Sequence, residues 1–82
     1  MIHARPDYDR IQDPAGLIPA DEPVFILRGQ DMHAPELVTR WAEMQLAAGG
    51  DPGLAQLALQ QANRMRLWQR NFAVKVPDGP KS

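Results

Sequence analysis

The sequence predicts a mostly α, small α+β fold: an antiparallel two-helix hairpin with an extended proline-rich N-terminal arm and one or two short strands. Three observations carry this expectation. Apolar residues recur at helical spacing on both sides of the break Gly49-Gly50-Asp51-Pro52, and a linker of that length folds the second helix back on the first. Four of the eight prolines fall before residue 24, where they exclude a long helix or a central strand. Between these regions lies Val24-Phe25-Ile26-Leu27, the longest apolar run in the chain, which passes without a spacer into a polar cluster.

Residues 1 to 22 read as an extended arm. Asp13-Pro14-Ala15-Gly16 and Pro19-Ala20-Asp21-Glu22 are turn signals, because proline presets φ and Asp can bond the backbone two residues on. Tyr8, Ile11, Leu17 and Ile18 are spaced as anchors of an arm docked on a surface. Residues 23 to 76 are expected to form a strand-helix-helix-strand core. Its first strand, Val24 to Leu27, is β-branched and aromatic, bounded by Pro23 and Gly29, and too short for a helix. The expected partner is Phe72 to Val76, which ends at Pro77.

The first helix is expected from about Pro35 to Ala48. Proline suits the first helical position because its missing amide has no partner there anyway, and Gly49 can take the left-handed conformation that ends a helix. Leu37, Trp41, Met44 and Ala48 mark the apolar face, widened by Val38 and Ala42. Asp51-Pro52 supplies an N-cap acceptor followed by proline, so a second helix starts there. Leu54, Leu57, Ala58, Met65, Trp68 and Phe72 fall on one side of it, and Ala55, Leu59 and Ala62 extend that side into an arc wider than one facing helix covers. Trp41, Met44, Met65 and Trp68 are expected in the core, with Trp68 alternatively at a subunit interface. Residues 77 to 82 read as a flexible tail.

A chain of 82 residues makes a single small domain that buries only about 60% of the surface its unfolded form exposes. With no cysteine and only His3 and His33, disulfides are excluded, and neither a structural zinc site nor a cofactor is expected. Self-association is the remaining common device, so a homo-oligomer is expected. No apolar leader and no run near the ~18 apolar residues of a membrane span are present, which predicts a soluble cytoplasmic protein without a membrane partner. The net charge of −1 conceals segregation: residues 1 to 36 carry seven acids and three bases, residues 53 to 82 five bases and one acid.

Five candidate sites follow. Arg28, Gln30 and His33, with Asp31, could hold a phosphate or carboxylate, since an Arg fork and a helix N-terminus both favour anions and Gly29 permits close backbone approach. Alternatively, Asp31 caps or turns the chain into the helix, Arg28 pairs with Asp31 or Glu36, and His33 is solvated. His33 beside Asp31 or Glu36 could form an oriented base. Yet no Ser or Cys elbow, no HExxH and no paired carboxylates occur, and Ser82 is the only serine, so no enzyme is expected. Arg66 and Arg70 share a helical face, whereas Arg64 does not. Nucleic-acid binding is therefore not expected, and cations at a helix C-terminus complement its dipole. Gln61 falls within the apolar arc, where an amide fixes register or marks a wet gap. Leu59, Gln61, Arg66, Trp68 and Arg70 are thus the candidate interface residues.

The residues Ile11-Gln12-Asp13-Pro14, Leu17-Ile18-Pro19 and Asp21 through Asp31, continuing through Trp41-Ala42 and the Met65/Trp68 pair, resemble small uncharacterised proteins of alphaproteobacteria and their phages. The resemblance covers most of the chain and carries over no catalytic or binding residue. It implies a phage-type accessory protein that binds a host protein, such as a defence component. The function expected is that of a small non-enzymatic interaction protein. The alternative is an oligomeric binder of an anionic nucleotide-like ligand at the Arg28 to His33 cluster.

Overall fold

The computed structural model describes residues 1–5, 13–72 and 74–76. Its elements are, in order, β1 (Ile2–His3), β2 (Pro23–Val24), α1 (Ala34–Ala47) and α2 (Pro52–Asn71). The architecture is mostly α with a small parallel sheet. The chain divides into two units with the boundary between Leu27 and Arg28.

In the N-terminal unit β1 pairs with β2 in parallel, Ile2 opposite Pro23 and His3 opposite Val24. The amide of Ile2 donates to the Glu22 carbonyl at 2.8 Å and that of Ala4 to the Val24 carbonyl at 3.2 Å. Pro23 fits the strand because the ladder asks nothing of its missing N–H. Both turn signals hold. Gly16 N–H donates to the Asp13 carbonyl and Glu22 N–H to that of Pro19. The Asp13 carboxylate also accepts from the amides of Leu17 and Ile18, and Gly16 takes φ 62°, which a residue without Cβ adopts freely. Leu17, expected as an anchor, is exposed; Tyr8, Ile11 and the tail 77 to 82 lie outside the described residues.

The strand expected over Val24 to Leu27 is corrected in length and in partner. Only Pro23 and Val24 are strand, and they pair with Ile2 and His3 instead of Phe72 to Val76. Of the expected C-terminal strand, one parallel bridge forms, between Lys75 and Asp31. Lys75 N–H donates to the Gln30 carbonyl at 2.8 Å, and its carbonyl accepts from Met32 N–H at 2.9 Å. The physical reason is reach: α2 ends beside the start of α1, so the chain leaving it meets residues 30 to 32 first.

The helical unit follows its local signals closely. α1 starts at Ala34, one residue before the expected Pro35, and ends in a Schellman motif: Gly50 N–H donates to the Gln45 carbonyl, Gly49 N–H to that of Leu46. Gly49 sits at φ 76°, the left-handed geometry this motif requires. At the start of α2 the Asp51 carboxylate accepts from Gly53 N–H at 2.9 Å, with Pro52 as first helical residue. Asp51→Ala should cost about 1 kcal/mol, and in thermal melts followed by circular dichroism it should lower the midpoint by about 5 °C. An unchanged midpoint would show that this cap is dispensable.

The helices run antiparallel, since Arg66 near the end of α2 reaches Thr39 near the start of α1. Their seam is built from small side chains. Ala34, Ala42, Ala55 and Ala62 are at most 1% exposed, and of the described residues of the two helices Pro35 and Met65 are buried with them. The expected core of Trp41, Met44 and Trp68 is therefore corrected: all three are exposed. Alanines let two helix backbones approach closely, and close approach maximises dispersion contacts along the seam. The bulky residues then have no room between the helices and project to the side.

Candidate functional site

Three places in the described structure could carry function: the polar segment before α1, an open hollow beside β1 and β2, and the exposed faces of the hairpin.

The segment from Arg28 to His33 is fastened by backbone bonds. Asp31 N–H donates to the Arg28 carbonyl at 3.0 Å, and Ala34 N–H to the Asp31 carbonyl at 3.0 Å. The Asp31 carboxylate accepts from the backbone N–H of His33 at 2.8 Å. From α2, the Gln69 amide donates to two carbonyls at once, that of Gly29 at 3.0 Å and that of Asp31 at 2.8 Å. Consequently the amides that an anion would need at the helix start are mostly occupied: those of Met32, His33 and Ala34 have partners, and Pro35 has none to give. Arg28 and His33 are exposed and Gln30 is half-buried. Arg28 has no ion pair among the described residues; Glu36 bonds to Arg40 instead, at 2.7 Å. The Asp31 carboxylate holds backbone rather than the His33 ring, so the two do not form an oriented acid-base pair. Among the described residues no three His, Asp or Glu side chains gather as a metal site.

The hollow beside the sheet, about 340 Å³, is lined by Ile2, His3, Ala4, Pro23, Val24 and Phe25. Both ring nitrogens of His3 are buried without a hydrogen-bond partner. They are shut off from any molecule in the hollow as well, so the imidazole offers no binding group there.

The two faces of the hairpin differ in chemistry. On one, Arg66 donates to Thr39 Oγ1 at 2.9 Å and to Asn63 Oδ1 at 3.0 Å, while Thr39 Oγ1 donates to the Pro35 carbonyl at 2.8 Å. Arg66 is thus a tie between the helices, and Arg70, one turn on, is exposed. The other face is apolar. On α1 it carries Leu37, Trp41 and Met44; on α2, Leu54, Leu57, Trp68 and Phe72. These seven are 41 to 68% exposed. Seen from its own N-terminus, each helix carries this stripe about a quarter to a third of a turn anticlockwise from the seam. Equal rotations about opposed axes bring both stripes to the same side of the pair. The Trp68 and Phe72 rings stack at 4.8 Å, which joins the end of the α2 stripe into one surface.

Of the five candidate interface residues, Gln61 and Trp68 lie on this face. Gln61 is exposed, not a buried amide, and its Oε1 lies 3.5 Å from Arg64 Nη1. Leu59, which is half-buried, and Arg66 and Arg70 lie toward the other side. Thr39 and Gln69 are tertiary ties that sequence reasoning passed over. Gln69 follows Ala55 and Ala62 by two and one heptads on the seam side of α2, a position where a polar residue needs a partner.

Comparison with protein-family models, with curated proteins and with solved structures found no match to this chain. No described helix is long and apolar enough to cross a membrane.

Proposed function

We propose that this chain is a non-enzymatic interaction protein that acts through the apolar face of its helical hairpin. The observation that carries the reading is the inverted burial of the two helices: alanines fill the seam while seven bulky apolar side chains stay 41 to 68% exposed on one side. Seven side chains half exposed, each of the order of 200 Å², amount to about 700 Å² of apolar surface, more than the roughly 300–600 Å² of the largest patch on a typical monomer. Surface of that size is unfavourable in water and is retained where something covers it. The resemblance to proteins of alphaproteobacteria and their phages supports a host protein as target. The anionic-ligand alternative keeps Arg28 but loses the helix-start amides, and it is not carried forward.

The test is gel filtration of the tagged full chain in a lysate of its native host. The wild type should elute well above its 9.2 kDa. Trp41→Glu/Leu57→Glu should return to the position of the free chain, whereas Leu67→Glu, on the side of α2 turned away from the face, should not. Elution of the wild type as a free chain would sink the reading.

A further inference from the structure

We infer that the apolar face of the hairpin is covered by a second copy of this chain, packed face to face about a two-fold axis to make a four-helix bundle; the inference rests on the interaction reading above. Three observations select this occupant. The first is area. The face offers about 700 Å², close to the roughly 800 Å² per partner that a standard stable interface buries. One copy therefore supplies about what one side of a two-fold interface needs, and in such an interface the same patch serves both partners.

The second is chemistry. The stripes themselves carry no charged residue; at their edges stand Arg64, beside Gln61, and Arg40, which is already paired with Glu36. A face without charge gives a charged partner nothing to pair with, whereas it matches an identical apolar face. Its polar group is Gln61, between Leu57 and Trp68 near the middle of α2. An amide carries both donor and acceptor, so it is complementary to its own symmetry mate, or to the mate's Arg64-flanked edge, without any other sequence. The third is the core. The buried residues of the hairpin are four alanines, Pro35 and Met65, which is little for a helical unit of this length to stand on. Packing two such layers places seven bulky side chains from each copy between them and gives the assembly the core that each copy lacks, in the geometry of known helical bundles.

Sedimentation velocity of the purified full chain at high micromolar concentration tests this. The expected result is a dimer of twice 9.2 kDa. Leu57→Glu should weaken it at least about 100-fold in Kd, because a carboxylate would be buried unpaired, and Leu67→Glu should leave it unchanged. Because the chain has no cysteine, single-cysteine crosslinking provides a second readout that does not depend on the folding of a Glu variant. A bis-maleimide about 10 Å long, the usual helix spacing, should link Gln61→Cys into dimers and leave Gln56→Cys unlinked. A monomeric wild type, a dimer indifferent to Leu57→Glu, or equal crosslinking at both cysteines overturns the inference. A purified monomer that enters a complex in lysate rejects the second copy and spares the interaction reading. A free chain in both settings rejects both.

Discussion

Ala62→Leu should destabilise the helical unit by about 2–3 kcal/mol, the upper range for forcing extra methylenes into a packed site. Ala62 is fully buried in the seam, as are Ala34 and Ala42 of the facing helix. A leucine there has nowhere to go: it must push α1 and α2 apart along the seam, and the dispersion contacts of every neighbouring alanine weaken together. A small unit has only about 3–5 kcal/mol in all, so the variant should be largely unfolded in mild denaturant where the wild type is not. Urea unfolding followed by circular dichroism gives the number, with Ala47→Leu at an exposed position as control. If both substitutions leave the midpoint in place, the seam is not close-packed and the sideways projection of Trp41 and Trp68 needs another cause.

The second large effect should come from Gln69→Leu, about 2–3 kcal/mol for two lost hydrogen bonds, one of which leaves the Gly29 carbonyl without the Gln69 donor while the Asp31 carbonyl keeps Ala34 N–H. The amide of Gln69 is what fastens the Gly29 to Asp31 turn to α2. Leucine keeps the bulk but cannot donate, so the turn loses its tie while the seam remains. Amide hydrogen exchange separates this from global unfolding: Met32 and Lys75, whose N–H groups bond across the Asp31 to Lys75 bridge, should lose protection before the middle of either helix does. Uniform loss across the unit would mean that Gln69 holds the fold as a whole and not this end of it.

The anion site proposed by the composition of residues 28 to 33 illustrates what residue types alone can miss. Arg28, Gly29 and a helix start were all legible, and the Asp31 carboxylate turning the chain onto the His33 amide follows from the same local chemistry, although His33, the N-cap residue of α1, supplies no side-chain cap. What could not be read was the far end of α2 returning to the segment, where the Lys75 carbonyl takes the Met32 amide that an anion would have used and Gln69 ties down the carbonyls of Gly29 and Asp31. Gln61 shows the converse: its place within an apolar stripe was legible, but its exposure depended on which stripe the partner helix chose.

By itself the sequence determined the local elements: both helices, the Schellman end at Gly49, the Asp51-Pro52 start, and the turns at Asp13 and Pro19. Each is decided by bonds spanning a few residues, so a single side chain or a missing Cβ is enough to specify it. Only the tertiary structure decided the partners. Each helix carries two apolar stripes a fraction of a turn apart, one of alanines and one of bulky residues, and periodicity weighs them equally. Close backbone approach favours the alanines as the seam, which leaves Leu37, Trp41, Met44, Leu57 and Trp68 outside it. Lys75 likewise found Asp31 because the packed helices bring the end of α2 beside the start of α1, and within the N-terminal unit Pro23–Val24 found Ile2–His3, a pairing of segments distant in the chain that no local signal specifies.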